Sequence, residues 1–204
     1  MFTGIVATTG QIESIESLGQ DEHSGVRLVI NAKDLGLADV GLGDSIAIQG
    51  ACMTVTSMPD DSHFTVDVSR ESLSKTVGLD KPGPVNLEKS LRIGDQIGGH
   101  LVSGHVDGLG TVVLFEPVGE SWELVVLAPK DLGMYLAYKG SMTVNGVSLT
   151  VNRVTDTDEG TEFSINLIPH TVHVTTLKHL KAGDAVNLEV DTIARYVQRM
   201  MAFK

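Results

Sequence analysis

The sequence predicts an all-β protein: two tandem antiparallel barrels followed by a C-terminal helix. Three observations predict it. The first is a duplication, since residues 1–15 (MFTGIVATTGQIESI) are echoed at 101–115 (LVSGHVDGLGTVVLF), with Gly4 on Gly104, Val6 on Val106 and Gly10 on Gly110. Three further echoes follow in the same order: Asn31–Gly36 with Ala128–Gly133, Gly50–Val55 with Gly146–Val151, and Val85–Glu88 with Val186–Glu189. Their offsets of 97, 96 and 101 differ only by short loop changes, so the chain reads as two copies of one module. The second observation is a succession of short β-type segments punctuated by glycine turns, which suits small barrels closed on themselves. The third is a tail with apolar residues at helical spacing that belongs to neither copy.

In the first copy, Ile5 to Ile15 mixes apolar and small residues, with Gly10 placed for a bend or bulge. Val26–Ile30 is a strand, Ala32–Leu37 a short helix or turn, and Gly41, Gly43 and Asp44 mark a tight turn. Ser45–Ile48 and Met53–Thr56 alternate polar and apolar at period two, as half-buried strands do. Pro59–Ser62 reads as a turn and His63–Val68 as a β-branched strand. Ser69 is placed to cap a short helix, with Ser72 rather than Glu at the N3 position. Lys81–Pro84 is a rigid turn before strand Val85–Glu88, and Arg92–Asp95 another turn before Gly98-Gly99 closes the copy. The second copy repeats the order, with strands at 111–115, 121–127, 141–145, 149–154, 161–167 and 185–190, a local helix at Lys130–Leu136, and Pro169–Thr175 matching the stretch after Ser69. In the tail, Ile193, Val197, Met200 and Met201 share a helical face, which needs either a barrel or copies of itself to cover it. The expected division is 1–97, 98–191 and 192–204.

Composition narrows the function. A net charge of -11, from 26 acidic and 15 basic side chains, repels phosphate backbones and argues against nucleic-acid binding. No apolar run is long enough for a membrane span and no signal-peptide pattern is present, so a soluble cytoplasmic protein is expected. Cys52 is the single cysteine, which excludes an intrachain disulfide. Neither G-x-G-x-x-G after a strand nor a P-loop occurs. Aromatic residues make up 4%, too few for a cage of rings around a flat ligand.

Two related modules create two related half-sites, and the informative positions are those where the copies differ. Ile5 becomes His105, Cys52 becomes Ser148, Gln49 becomes Asn145, Met53 becomes Leu149 and Asp67 becomes Asn166, while Thr54 and Thr150 agree. His105 offers an acid/base group near neutral pH. His100, five residues earlier, would not share its side of a strand, so no metal site is expected; ordering of the linker is the simpler role for His100. Cys52 reads either as a small buried hydrophobe or as a nucleophile lacking a sequence-adjacent base. Ser148 has no G-x-S-x-G elbow around it, which argues against a hydrolase triad. Lys139 and Asp191 are surface charges or pocket charges; sequence leaves both readings open.

Met1-Phe-Thr-Gly-Ile-Val6, Gly98-Gly-His-Leu-Val-Ser-Gly-His-Val106 and the paired Gly-x-Cys/Ser-x-Thr-Val blocks resemble the riboflavin synthase alpha-chain family, over essentially the whole chain. The resemblance implies two six-stranded Greek-key barrels and a C-terminal helix through which a homotrimer forms. It implies an enzyme that takes two molecules of 6,7-dimethyl-8-ribityllumazine and transfers a four-carbon unit between them. The products are riboflavin and 5-amino-6-ribitylaminouracil, and neither an organic cofactor nor a metal is called for. The alternative is a non-catalytic lumazine- or flavin-binding relative; retention of His100, His105, Ser148 and Thr150 favours the enzyme. Association with lumazine synthase is a further partner the family brings. Gln49-Gly-Ala51 and Asn145 depart from residues common in the family while keeping polarity or size.

Carried onto this chain, the resemblance places His105, Cys52, Ser45, Ser148, Thr150 and Asp191 in catalysis. The first half-site would use Gly4, Ile5, Val6, Ser45, Cys52, Met53, Thr54, Asp67, Val68, Ser69, Arg70, Glu71 and Ser72. The second would use Gly104, His105, Val106, Lys139, Ser148, Leu149, Thr150, Ile168, Pro169, His170, Thr171, Val172 and His173. The active site of the family lies between the first barrel of one subunit and the second barrel of its neighbour.

Overall fold

The computed structural model describes residues 1–21 and 23–203. The first barrel consists of β1 (Thr8–Ser17), β2 (Val26–Asn31), β3 (Ser45–Ile48), β4 (Ala51–Asp60), β5 (His63–Val68) and β6 (Gly83–Lys89), with helix α1 (Arg70–Lys75) between the last two strands. The second consists of β7 (Gly108–Val118), β8 (Ser121–Ala128), β9 (Ser141–Val144), β10 (Val147–Asp156), β11 (Thr161–Leu167) and β12 (Ala185–Val190), with α2 (Pro169–Val174) between β11 and β12. Helix α3 (Thr192–Met201) ends the described chain. The strand order is β1-β2-β5-β4-β3-β6 in one closed barrel and β7-β8-β11-β10-β9-β12 in the other, so both copies share one Greek-key topology.

Period-two patterning explains the barrels. In β4, Ala51, Met53 and Val55 are buried while Thr54 and Thr56 are exposed and Cys52 is half-buried; β10 repeats this with Val147, Leu149 and Val151 inward. Inward residues fill each interior: Ile12, Leu28, Ile46, Phe64 and Leu87 in the first barrel, Val112, Leu124, Met142, Phe163 and Leu188 in the second. These side chains pack each interior as a hydrophobic core.

Several local expectations shift. The irregularity of β1 falls between Ile12 and Ser14 rather than at Gly10, which pairs in register with Val85; β7 has the same break between Val112 and Leu114. Pro59 and Asp60 belong to the end of β4, and Asn145 belongs to a turn rather than a strand. The helical stretches after β2 and β8 are 3-10 turns at Lys33–Leu35, Leu37–Asp39 and Lys130–Tyr135. Gly36, at φ 69°, separates the two short stretches after β2, whereas Gly133 lies within the single stretch after β8.

The barrels interlock through their hairpin tips. Gln49 and Asn145 have φ of 52° and 51°, each followed by a glycine at positive φ, the geometry of a two-residue type I′ hairpin. The Asn86 side-chain amide donates to the Asn145 carbonyl at 2.9 Å, and the Asn187 amide donates to the Gln49 carbonyl at 2.9 Å. Asn86 Oδ1 accepts the Thr176 N–H and Asn187 Oδ1 accepts the Val77 N–H, both at 2.8 Å. Each barrel thereby satisfies backbone groups that the other leaves open, about one internal two-fold axis.

Candidate active site

The leading segments of the two repeats cross over. Phe2 and Val102 form an antiparallel bridge, with N–H to carbonyl distances of 2.7 and 3.0 Å. Beyond it, the Ser148 N–H of the second barrel donates to the Gly4 carbonyl, and the Cys52 N–H of the first donates to the Gly104 carbonyl, both at 2.7 Å. Val106 packs on the first barrel's core and Val6 on the second's. The approach is close: a Cβ on Gly4 would lie 2.6 Å from Ser148 Cβ, and one on Gly104 would lie 2.7 Å from Cys52 Cβ. Gly104–Val106 therefore joins Cys52–Thr54, and Gly4–Val6 joins Ser148–Thr150. This corrects the half-site grouping expected from the sequence, where each leading segment was kept with its own repeat. Sequence order misleads because the bridge at Phe2 and Val102 carries each segment past its own barrel onto the other.

A buried carboxyl holds each leading segment. Glu88 accepts the Thr3 N–H at 2.7 Å, the Thr3 hydroxyl at 2.7 Å and the Gly4 N–H at 3.0 Å. Glu189 accepts the N–H groups of Ser103, Gly104 and His105 at 2.7, 2.9 and 3.0 Å. Burial pushes both carboxyls up against the pull of these amides, Glu189 to about 7 with the Asp107 carboxylate adding to the rise. Neither glutamate stood out in the sequence, although their recurrence in Val-Asn-Leu-Glu was a signal: a polar residue repeated inside a strand otherwise buried needs a partner.

On the first barrel's outer wall a pocket of about 200 Å³ is lined by Ala51, Cys52, Met53, Glu71, Ser72, Lys75, Thr76, Gly104, His105 and Val106. Ala51, Lys75 and Thr76 are additions to the residues expected. Ser69 caps α1 by accepting the Ser72 N–H at 3.1 Å, and Lys75 pairs with Glu71 at 2.8 Å. The side chains of Met53, Val68, Leu149 and Val172 are turned into the barrel cores, so the part these positions can play toward a ligand is through backbone. Asp67 is held by Arg27 in a two-pronged ion pair at 2.7 and 2.8 Å, which lowers the carboxyl. Arg70 is exposed on α1.

Around the second half-site, Ile5, Thr150, Ile168, Pro169, His170 and His173 are exposed, and Val6 and Thr171 are half-buried. Pro169 starts α2 in place of a capping side chain, and its carbonyl lies 2.6 Å from His173 Nδ1. Ser148 Oγ is 2.7 Å from His100 Nδ1. Lys139, at φ 63°, is exposed and donates to Asn152 Oδ1 at 2.9 Å. Ser45 pairs with Thr54 across β3 and β4 but lines a separate recess with Asp39, Lys89 and Arg92. Asp191 caps α3, accepting the Ile193 N–H at 2.8 Å. Ser45 and Lys139 are thus not brought to Cys52 within one chain. Among the described residues no cluster of His, Cys, Asp or Glu could hold a metal ion.

Two filled barrels, each joined on its outer wall by the other repeat's leading segment, define a tandem-repeat protein. A family profile described as the lumazine binding domain matches residues 3–90 and again 103–191. The chain is 43% identical over 203 residues to a riboflavin synthase of Photobacterium phosphoreum, covering 98% of this chain and 89% of that one. It is 42% identical over 204 residues to a riboflavin synthase of Mycobacterium bovis, covering 98% of both. Among solved structures it is similar to LumP complexed with riboflavin, at 27% identity and TM-score 0.78, covering 93% of this chain and 99% of that one. LumP complexed with 6,7-dimethyl-8-(1'-D-ribityl) lumazine gives 25% identity and TM-score 0.77. The chain belongs to the riboflavin synthase family of lumazine-binding-domain proteins.

Proposed function

We propose that this protein is a riboflavin synthase, converting two molecules of 6,7-dimethyl-8-ribityllumazine into riboflavin and 5-amino-6-ribitylaminouracil. The carrying observation is the crossed pair of outer-wall sites on one chain, in a sequence related end to end to riboflavin synthases. Two alike sites suit a reaction whose two substrates are the same molecule. One lumazine must lose a proton from its C7 methyl group, giving an anion delocalised into the ring; the other must accept a nucleophile at C7. Proximity and proton handling therefore carry the rate.

His105, beside Cys52 in the pocket, is the imidazole for proton handling in the first half-site. Ser148 and Thr150 are its polar counterparts in the second. The strand ends at Ser69 and Ile168 offer backbone donors and acceptors to a pyrimidinedione ring, which suits a site poor in aromatic residues. The two half-sites meet between subunits, the first barrel of one facing the second barrel of its neighbour. In that arrangement Ser45 and Lys139 complete the shared pocket, while Asp191 already acts on His100 beside Ser148 within its own chain. The chains join as a homotrimer through α3 in this reading, which is supported by the exposure of Ile193, Tyr196, Val197 and Met200 along that helix and of Phe203 just past it. Association with lumazine synthase, and a cytoplasmic location, complete the assignment.

The test uses one substrate. Purified protein is mixed with 6,7-dimethyl-8-ribityllumazine alone, with chelator present, and products are followed by chromatography. One riboflavin per two lumazines consumed is expected. Tight lumazine binding with no riboflavin over hours would identify a binding protein instead.

A further inference from the structure

Helix α3 belongs to neither repeat, yet its barrel-facing side meets the His105 segment at both ends. Thr192 Oγ1 lies 3.4 Å from Ser103 Oγ, and Arg195, one turn on, donates from Nη2 to Asp107 Oδ2 at 2.7 Å. The same Asp107 oxygen accepts the Val190 N–H at 2.9 Å, while the Asp107 N–H donates to the Leu188 carbonyl at 2.8 Å. His105 thus lies between two anchors, Glu189 through its own N–H and Asp107 two residues on. The first repeat seats the same segment without the second anchor. Ala7 stands at the position of Asp107, and its N–H donates to the Leu87 carbonyl at 2.9 Å. Thr3, the counterpart of Ser103, turns its hydroxyl to Glu88 at 2.7 Å rather than to a helix. The Asp107 carboxylate is therefore an addition to the scaffold the two copies share, and its partner is the helix.

We propose that Asp107 is a positioning residue that couples the seating of α3 to the placing of His105 at the Cys52 pocket; this rests on the riboflavin synthase reading. In that reading the helix through which chains join also sets the first half-site. The link is electrostatic. The Asp107 side chain is 14% exposed and stands near Glu189, whose carboxyl is pushed up by burial and, further, by the Asp107 charge. Arg195 offsets this like-charge pair, and Asp107, foremost by its hydrogen bond, with Glu189 adding, raises the guanidinium. Unseating α3 removes the cation and leaves Asp107 facing Glu189. The carboxylate then turns toward solvent, the Val190 anchor is lost, and His105 shifts with its segment. A shift of about 1 Å in a reacting group costs on the order of a hundredfold in rate.

The experiment separates charge from shape. D107N keeps an acceptor for the Val190 N–H and removes the charge; R195A removes the cation and R195K keeps it. These and the D107N/R195A double variant are compared with wild type for kcat and KM, for assembly mass by sedimentation, and for the rate at which iodoacetamide alkylates Cys52. Cys52 is the single cysteine, and its N–H donates to the Gly104 carbonyl at 2.7 Å, so its reactivity reports on the segment directly. D107N and R195A should each lose at least about tenfold in kcat with KM held within about threefold, at unchanged assembly mass. Both should alkylate at least about threefold faster than wild type, while R195K stays within about threefold of it in kcat. The double variant should lose no more than the worse single one, because both changes cut one link. Wild-type kcat and alkylation in R195A, additive losses, no rescue in R195K, or losses confined to dissociated protein would overturn the proposal. If D107N does not fold, R195A against R195K decides, since that side chain is 43% exposed. A protein that forms no riboflavin, yet whose Cys52 alkylation rises in D107N and R195A, refutes the synthase reading alone. Wild-type turnover with Cys52 and kcat unmoved in both variants refutes the coupling alone.

Discussion

At the scale of single residues, the candidate site depends on backbone held by the buried carboxyls of Glu88 and Glu189. His105 reaches the Cys52 pocket because Glu189 gathers the amides of Ser103, Gly104 and His105. The H105A variant should lose at least about tenfold in turnover while keeping fold and assembly, checked by steady-state kinetics beside circular dichroism. Normal turnover would remove its role. Glu189 also makes stability depend on pH. Its carboxyl is raised from 4.5 to about 7, so the folded chain keeps a proton that the unfolded chain releases in that interval. The stability it contributes is full below the ordinary value and is lost as pH rises through about 7, on the order of 3 kcal/mol in total. Glu88 acts in the same direction and His100 in the opposite one, so the comparison must be between wild type and E189Q. Urea midpoints at pH 5 and pH 8 should differ less in E189Q; an unchanged difference would mean Glu189 does not titrate there.

At the scale of elements, the hairpin tips and the two Val-Asn-Leu-Glu strands lock the barrels together. Asn187 serves the Val77 N–H, the Gln49 carbonyl and the Val77 carbonyl at once. Replacing it with alanine leaves the buried Gln49 carbonyl and the half-buried Val77 groups without this partner, at a cost of about 1–3 kcal/mol for a buried unsatisfied group. A melting point lower by several degrees is expected, since about 1 kcal/mol moves a chain of this size by about 2–4 °C. N86A should behave alike, as its amide and carbonyl oxygen serve Asn145 and Thr176. An unchanged melting point in both would show that the tips are held by packing alone. The strand pattern was legible because period-two burial repeats in each copy. The cross-barrel bonds were not, because no local pattern distinguishes an asparagine facing solvent from one facing a neighbouring barrel.

At the scale of the whole molecule, the proposed trimer rests on α3. Arg195 pairs with Asp107 at 2.7 Å and ties one face of the helix to the second barrel, while its apolar face stays exposed. Deleting residues 192–204 should convert a trimer to a monomer in sedimentation velocity and abolish riboflavin formation, with lumazine binding reduced but detectable. A truncated chain that still turned over as a monomer would place the reaction inside one subunit.

The sequence by itself determined the duplication, the two barrels, the tail helix, the family and most wall residues such as Cys52, Thr54, Ser148 and Thr150. The duplication, barrels and tail follow from spacing and periodicity, which are properties of neighbours along the chain, and the family and wall residues follow from the motifs' resemblance to that family. Only the tertiary structure decided that Gly4 serves Ser148 and Gly104 serves Cys52, that Glu88 and Glu189 hold those segments, and that His100 stands behind Ser148. The physical reason is that an antiparallel bridge between Phe2 and Val102 carries each leading segment across to the other barrel. A crossing of that kind leaves every local pattern unchanged.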